Sequence, residues 1–144
     1  MVRIFTDASV ANGKGVSTCF ILTDTNFLGY NTFTYESVRT SVEGELLGIL
    51  NAIKYYNTLN CEDSEVILYC DSIHAINLVA DFEAGLTSTQ IRIYNKILRE
   101  LVEVKQMYPM SLELIQGHQT THNPNKVVDL ISNSTLSFLN RKEC

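Results

Sequence analysis

The first thirty-five residues are dominated by short runs of alternating or β-branched apolar positions separated by turn residues. Residues 2–8 (VRIFTDA) alternate, Asn12-Gly13-Lys14-Gly15 marks a turn, and residues 16–23 (VSTCFILT) read as a second strand. After a turn at Asp24-Thr25-Asn26, residues 27–35 (FLGYNTFTY) read as a third. Parallel strands need a crossover of about a dozen residues or more. These connections are shorter, so the three strands form an antiparallel meander.

The period then changes. From Ser41 to Thr58, Leu46, Leu50 and Ile53 with Leu47, Ile49 and Tyr56 fall at helical spacing, with Thr40 or Ser41 as N-cap. Residues 65–70 (EVILYC) have the length of a buried strand, and residues 72–82 (SIHAINLVADF) read as helix. Gly85-Leu86-Thr87-Ser88 breaks that pattern, and an amphipathic helix follows over 89–104. Leu112, Leu114 and Ile115 suggest a last strand, and a polar loop at 117–125 leads to a final helix from about Lys126 to Leu139. Three antiparallel strands followed by α/β crossovers predict an α/β fold. It is a five-stranded mixed sheet, antiparallel then parallel, with helices on both faces and a single domain over 1–144.

Composition narrows the class. With 45% hydrophobic and 19% charged residues, the 144-residue chain is an ordinary globular protein rather than a disordered one. It has neither an apolar run of membrane-spanning length nor a signal-peptide layout at its start, so a cytoplasmic monomer is expected. Cys19, Cys61, Cys70 and Cys144 show no metal-finger spacing, and Cys19 and Cys70 lie inside apolar runs as buried reduced thiols. The net charge of −5 argues against a partner held by phosphate neutralisation. Two bound divalent cations would bring the molecule near neutrality and remove that objection.

The acidic residues supply the candidate chemistry. Asp7 interrupts the first strand, Asp71 follows the apolar run Val66 to Cys70, Glu45 sits beside the apolar stripe of the first helix, and Asp129 lies between Val127-Val128 and Leu130-Ile131. A carboxylate among apolar neighbours is costly unless paired or bound to a cation, and no Lys or Arg is equally placed. One Asp at a strand end is commonly a cap or turn residue. Four together point to hard cations, Mg²⁺ or Mn²⁺, and to phosphodiester hydrolysis by two ions about 3.5–4 Å apart. Asp7, on a central strand, is the natural bridging ligand.

These segments resemble the type 1 ribonuclease H family. FTDAS at 5–9 resembles its first-strand Asp motif, GELLGILNAI at 44–53 is similar to its Glu-bearing helix, and LYCDS at 68–72 matches its Thr/Cys-Asp-Ser motif. GHQTTHNPNKVVDLIS at 117–132 resembles its Gly-His loop and Asp-bearing helix. The resemblance implies endonucleolytic hydrolysis of the RNA strand of RNA/DNA hybrids, leaving 5′-phosphate and 3′-hydroxyl ends. It also implies two Mg²⁺ ions, or Mn²⁺, held by Asp7, Glu45, Asp71 and Asp129. By position Asp7 would touch both ions, Glu45 and Asp71 the one near the leaving group, and Asp129 the one activating water. His118 matches a loop histidine that assists proton movement or product release, a duty suited to imidazole. Substrate contacts would fall to Asn12, Thr40, Ser41, Ser72 and Phe82, the last where the family places an aromatic against the DNA strand.

The chain departs from that pattern at Ser41 and Val42, where the family usually has two asparagines that read the RNA strand. Valine has no side-chain hydrogen bond to offer a 2′-hydroxyl. The basic protrusion of some members is missing after Asp71. Arg92, Lys96 and Arg99 make a basic stripe, expected to pair on its own helix, with Glu100 and Glu103 standing at i+4 from Lys96 and Arg99. Two other readings stay open: a nuclease of the same fold acting on branched or structured DNA, and a non-catalytic nucleic-acid-binding module.

Overall fold

The computed structural model describes residues 1–61 and 65–115. Three strands open the chain: β1 (Val2–Ala11), β2 (Lys14–Thr23) and β3 (Phe27–Tyr35). Helix α1 (Ser41–Thr58) leads to β4 (Val66–Cys70), then α2 (Ile73–Glu83), α3 (Thr89–Ile93), α4 (Asn95–Lys105) and β5 (Met110–Leu114). The strands form one mixed sheet in the order β3-β2-β1-β4-β5. β1 pairs antiparallel with β2, and β2 with β3, whereas β1–β4 and β4–β5 are parallel. The expected meander and crossovers are therefore present.

The β1–β2 strands run further toward each other than the apolar pattern indicates. Asn12 (φ 55°) and Gly13 (φ 75°) form a two-residue turn with both centres in the left-handed region. Pairing then continues to Ala11 and Lys14. The Gly13 carbonyl accepts from Val38 N–H at 2.7 Å, which ties the hairpin tip to the segment leading into α1.

Helix α1 packs on β1 and β2. Its stripe of Leu46, Ile49, Leu50, Ile53 and Tyr56 is buried against Val2, Ile4, Ile21 and Leu68 of the sheet. Burial of each such side chain stabilises by about 1.5–3 kcal/mol, so this seam fixes the height and angle of the helix. α1, α2 and α4 contact one another. The final helix expected from about Lys126 lies outside the described residues. Among them, no helix is long and apolar enough to cross a membrane.

The helix expected over 89–104 is in fact two. Tyr94 leaves helical geometry (φ −100°, ψ 16°) between α3 and α4, yet its carbonyl still accepts from Leu98 N–H at 2.9 Å. Ile91, Tyr94, Leu98 and Leu101 remain on one buried face, so the apolar period runs through the joint. At this joint the Tyr94 hydroxyl meets a distant partner, Thr40 Oγ1, at 2.6 Å. The surface pairs differ too. Glu100 pairs with Lys54 of α1 instead of Lys96, and Arg99 bonds the Asn95 carboxamide at 2.9 Å.

Candidate active site

The site lies where β1 and β4 run side by side. Their parallel register places Phe5 opposite Tyr69, and these rings stack at 5.0 Å between centroids. Two residues further along the chain from each ring stand Asp7, within β1, and Asp71, just past the end of β4, so the register that stacks the rings also brings the acids near each other. Asp7 is 2% exposed, and Asp71 is exposed at the point where β4 gives way to α2. Ser72 caps α2, its hydroxyl accepting from Ala75 N–H at 3.2 Å, which turns the chain immediately after Asp71.

Glu45 comes from the second turn of α1 and is 9% exposed. It reaches the strand because α1 approaches the sheet closely at Gly44 and Gly48, which flank it. A Cβ on Gly44 would lie 2.6 Å from Val10 Cγ2, and one on Gly48 3.1 Å from Ser17 Cβ and 3.2 Å from Thr6 Oγ1. A larger residue at either position would lift the helix. Asp7, Glu45 and Asp71 each present an oxygen, and these oxygens lie within 4.8 Å of one another. Two buried carboxylates at that separation repel by on the order of 3 kcal/mol at an effective dielectric near 20.

The donor set fits a hard divalent cation. Three carboxylate oxygens on rigid elements, one of them open to solvent, match Mg²⁺ or Mn²⁺, which retain water and substrate oxygens beside one or two carboxylates. Cys70, adjacent and buried, does not compete as a soft ligand. Burial, followed by the charges of Glu45, Asp71 and Asp7, pushes its thiol up to about 12. Asp129 and His118, the remaining acid and the histidine expected here, lie outside the described residues.

The candidate substrate residues group by element. Thr40 and Ser41 are exposed at the start of α1, and Asn12 is exposed in the turn that Val38 anchors to the same segment. Thr40 is the N-cap, its hydroxyl accepting from Glu43 N–H at 3.1 Å. Val42 is half-buried and packs against the core. Ser72 is half-buried beside Asp71, whereas Phe82, in the last turn of α2, is half-buried against the core. Glu43 is a feature the pattern did not single out. It is 6% exposed, and its carboxylate accepts from Arg39 N–H (3.0 Å), Nε (3.0 Å) and Nη2 (2.7 Å). The spacing Thr40-x-x-Glu43 is a capping-box signature that would have found it.

A five-stranded sheet in the order 3-2-1-4-5, with an acidic cluster where the first and fourth strands meet, defines a ribonuclease H-like fold carrying a candidate metal site. The chain belongs to the RNase H family, whose sequence model matches residues 1–137. Solved structures agree on the fold. The RNase H1 of the halophilic archaeon Halobacterium salinarum superposes with a TM-score of 0.74 at 11% identity, covering 94% of this chain and 97% of that one. The N-terminal RNase H domain of a Mycobacterium tuberculosis protein, solved as a fusion with maltose-binding protein, gives 0.77 at 14% identity, covering 99% and 98%. LC11-RNase H1, crystallised in complex with an RNA/DNA hybrid, gives 0.68 at 13% identity, covering 94% and 99%. No curated protein sequence matches the chain significantly.

Proposed function

We propose that this chain is an endoribonuclease that hydrolyses the RNA strand of RNA/DNA hybrids and leaves 5′-phosphate and 3′-hydroxyl ends. The observation that carries the reading is the convergence of Asp7, Glu45 and Asp71, distant in sequence, to within 4.8 Å. Membership of the RNase H family and the hybrid bound by LC11-RNase H1 support the substrate class.

Two divalent cations held by these acids and Asp129 would supply an activated water and charge stabilisation at the leaving oxygen. The chain's own part is to hold the oxygens in place. Asp7 is fixed by the central strand and Glu45 by a helix seated on that strand. Asp71, exposed, faces the incoming phosphodiester. His118 would move a proton at the product. Asn12, Thr40, Ser41, Ser72 and Phe82 would contact the duplex.

The half-buried Val42 favours one alternative, a nuclease with a looser demand for RNA, such as one acting on branched DNA. Digesting labelled hybrid, duplex RNA, duplex DNA and a branched DNA, each with Mg²⁺ and with chelator, separates the readings. Hybrid cleavage that chelator abolishes, and that Asp71→Asn lowers by at least about a hundredfold, is expected. Full activity in Asp71→Asn or in chelator would overturn the assignment, and calorimetry with Mn²⁺ showing no binding would favour a non-catalytic module.

A further inference from the structure

Tyr94 is buried, sits 54 residues from Thr40 in sequence and yet reaches its hydroxyl. Its ring also lies beneath the Arg39 guanidinium, whose Cζ is 5.8 Å from the ring centroid. We infer that Tyr94 is a positioning residue for substrate, orienting the Thr40 hydroxyl and the Arg39 guanidinium toward one backbone phosphate of the bound duplex. This inference rests on the hydrolase reading above and deepens it on the substrate side.

The hydrogen-bond inventory carries the argument. Thr40 Oγ1 has one hydrogen and two lone pairs. One lone pair accepts from Glu43 N–H at 3.1 Å. A phenol is far more acidic than an aliphatic alcohol, so Tyr94 donates into the second lone pair across the 2.6 Å contact. With both acceptor sites filled from within the protein, Thr40 is left with its own O–H as a donor. Its residue is exposed, so that donor faces solvent, where a phosphate oxygen would sit. Each donor in such a chain strengthens the next.

Arg39 completes the pair. Its side chain is 62% exposed, although Nε and Nη2 are engaged by Glu43. A guanidinium has five N–H donors, so several remain free toward solvent. Glu43 on one edge and the Tyr94 ring on one face restrict its rotamers, which lowers the ordering entropy to be lost on binding. Tyr94 stands at the joint between α3 and α4 and reaches the start of α1 from there.

The test is steady-state cleavage of a labelled hybrid by Tyr94→Phe, which keeps the ring beneath Arg39 and removes only the hydroxyl. KM is expected to rise about threefold to tenfold with kcat and Mn²⁺ affinity unchanged, and with the variant still folded at the assay temperature. In a Thr40→Val background, which has no hydroxyl to orient, Tyr94→Phe should add nothing, whereas in Thr40→Ser it should again raise KM. An unchanged KM in Tyr94→Phe overturns the inference. So does a fall in kcat at constant KM, or an effect that persists in Thr40→Val. These outcomes are read against an active parent. A parent that cleaves no hybrid at all overturns the hydrolase reading itself, and this inference with it.

Discussion

A carboxylate that is 2% exposed, with two further carboxylates within 4.8 Å, is costly to charge unless a cation shares the site. That is tolerable in a site that is completed by cations and costly without them. Asp7→Asn removes the charge while keeping the shape. In chelator it should therefore melt higher than the parent, by about 1–2 kcal/mol or several degrees for a chain of this size. Saturating Mg²⁺ should then raise the melting temperature of the parent and leave Asp7→Asn where it was. A variant that melts lower than the parent in chelator would show that repulsion among the three acids is not the dominant energy at Asp7. Cys19 illustrates the opposite case, a buried group that stays neutral. Burial pushes its thiol from 9.0 up to about 11. Because the folded chain holds that proton more tightly than the unfolded one, the stabilisation is full below about pH 9 and is lost as pH rises through 11. At pH 8, iodoacetamide should modify the half-buried Cys61 and leave Cys19 intact until the protein is unfolded. Mass mapping after brief labelling would read the difference, and early modification of Cys19 would contradict it.

At the scale of elements, the distance from Glu45 to Asp7 is set by how closely α1 lies on β1 and β2, and Gly48 is the contact that permits it. Gly48→Val would press branched methyl groups against Ser17 and Thr6, neither of which can retreat within the sheet. A loss of about 1–3 kcal/mol from overpacking is expected, together with a fall in kcat as Glu45 moves from Asp7. Mn²⁺ titration should show weakened binding in the folded variant, and unchanged binding and kcat would place the control of Glu45 elsewhere. Much of this architecture was legible in the sequence. The alternating runs and the change to helical period gave the strand and helix order, and Asp7, Glu45 and Asp71 stood out because each interrupts or adjoins an apolar pattern. Strand ends were less legible, since Ser9, Lys14 and Gly15 have little β-propensity of their own and are held extended by the ladder. The break at Tyr94 left no mark, because Tyr94 occupies a core position of the stripe and its hydroxyl's partner, Thr40, is 54 residues away. Ser72 has a second role that motif reading did not give. It stands next to Asp71, and its hydroxyl accepts from Ala75 N–H and caps α2.

For the whole molecule the question is how a chain with a net charge of −5 meets a polyanion. Among the described residues, several of its cations are already paired. Arg3 pairs with Asp24, Lys14 with Glu36, Arg39 with Glu43, Lys54 with Glu100 and Lys105 with Glu83, so of the described lysines and arginines only Arg92, Lys96 and Arg99 show no acid partner. Exposed pairs of this kind add little stability, each typically 0–1 kcal/mol, but they reduce the positive potential a phosphate would meet. The acidic cluster changes sides once it holds cations, because it no longer repels a phosphate and instead offers the duplex metal positions to bind. Metal removal should therefore weaken hybrid binding as well as abolish cleavage, by about tenfold or more, the effect of roughly 1.4 kcal/mol. Stopped-flow anisotropy on a labelled hybrid, read before cleavage in Mg²⁺ and again in chelator, measures the affinity separately from the chemistry. The salt dependence should also be shallow, because few lysines and arginines release counterions on binding. Equal affinity with and without metal would mean that protein cations alone hold the duplex, and that the acids serve only the chemical step.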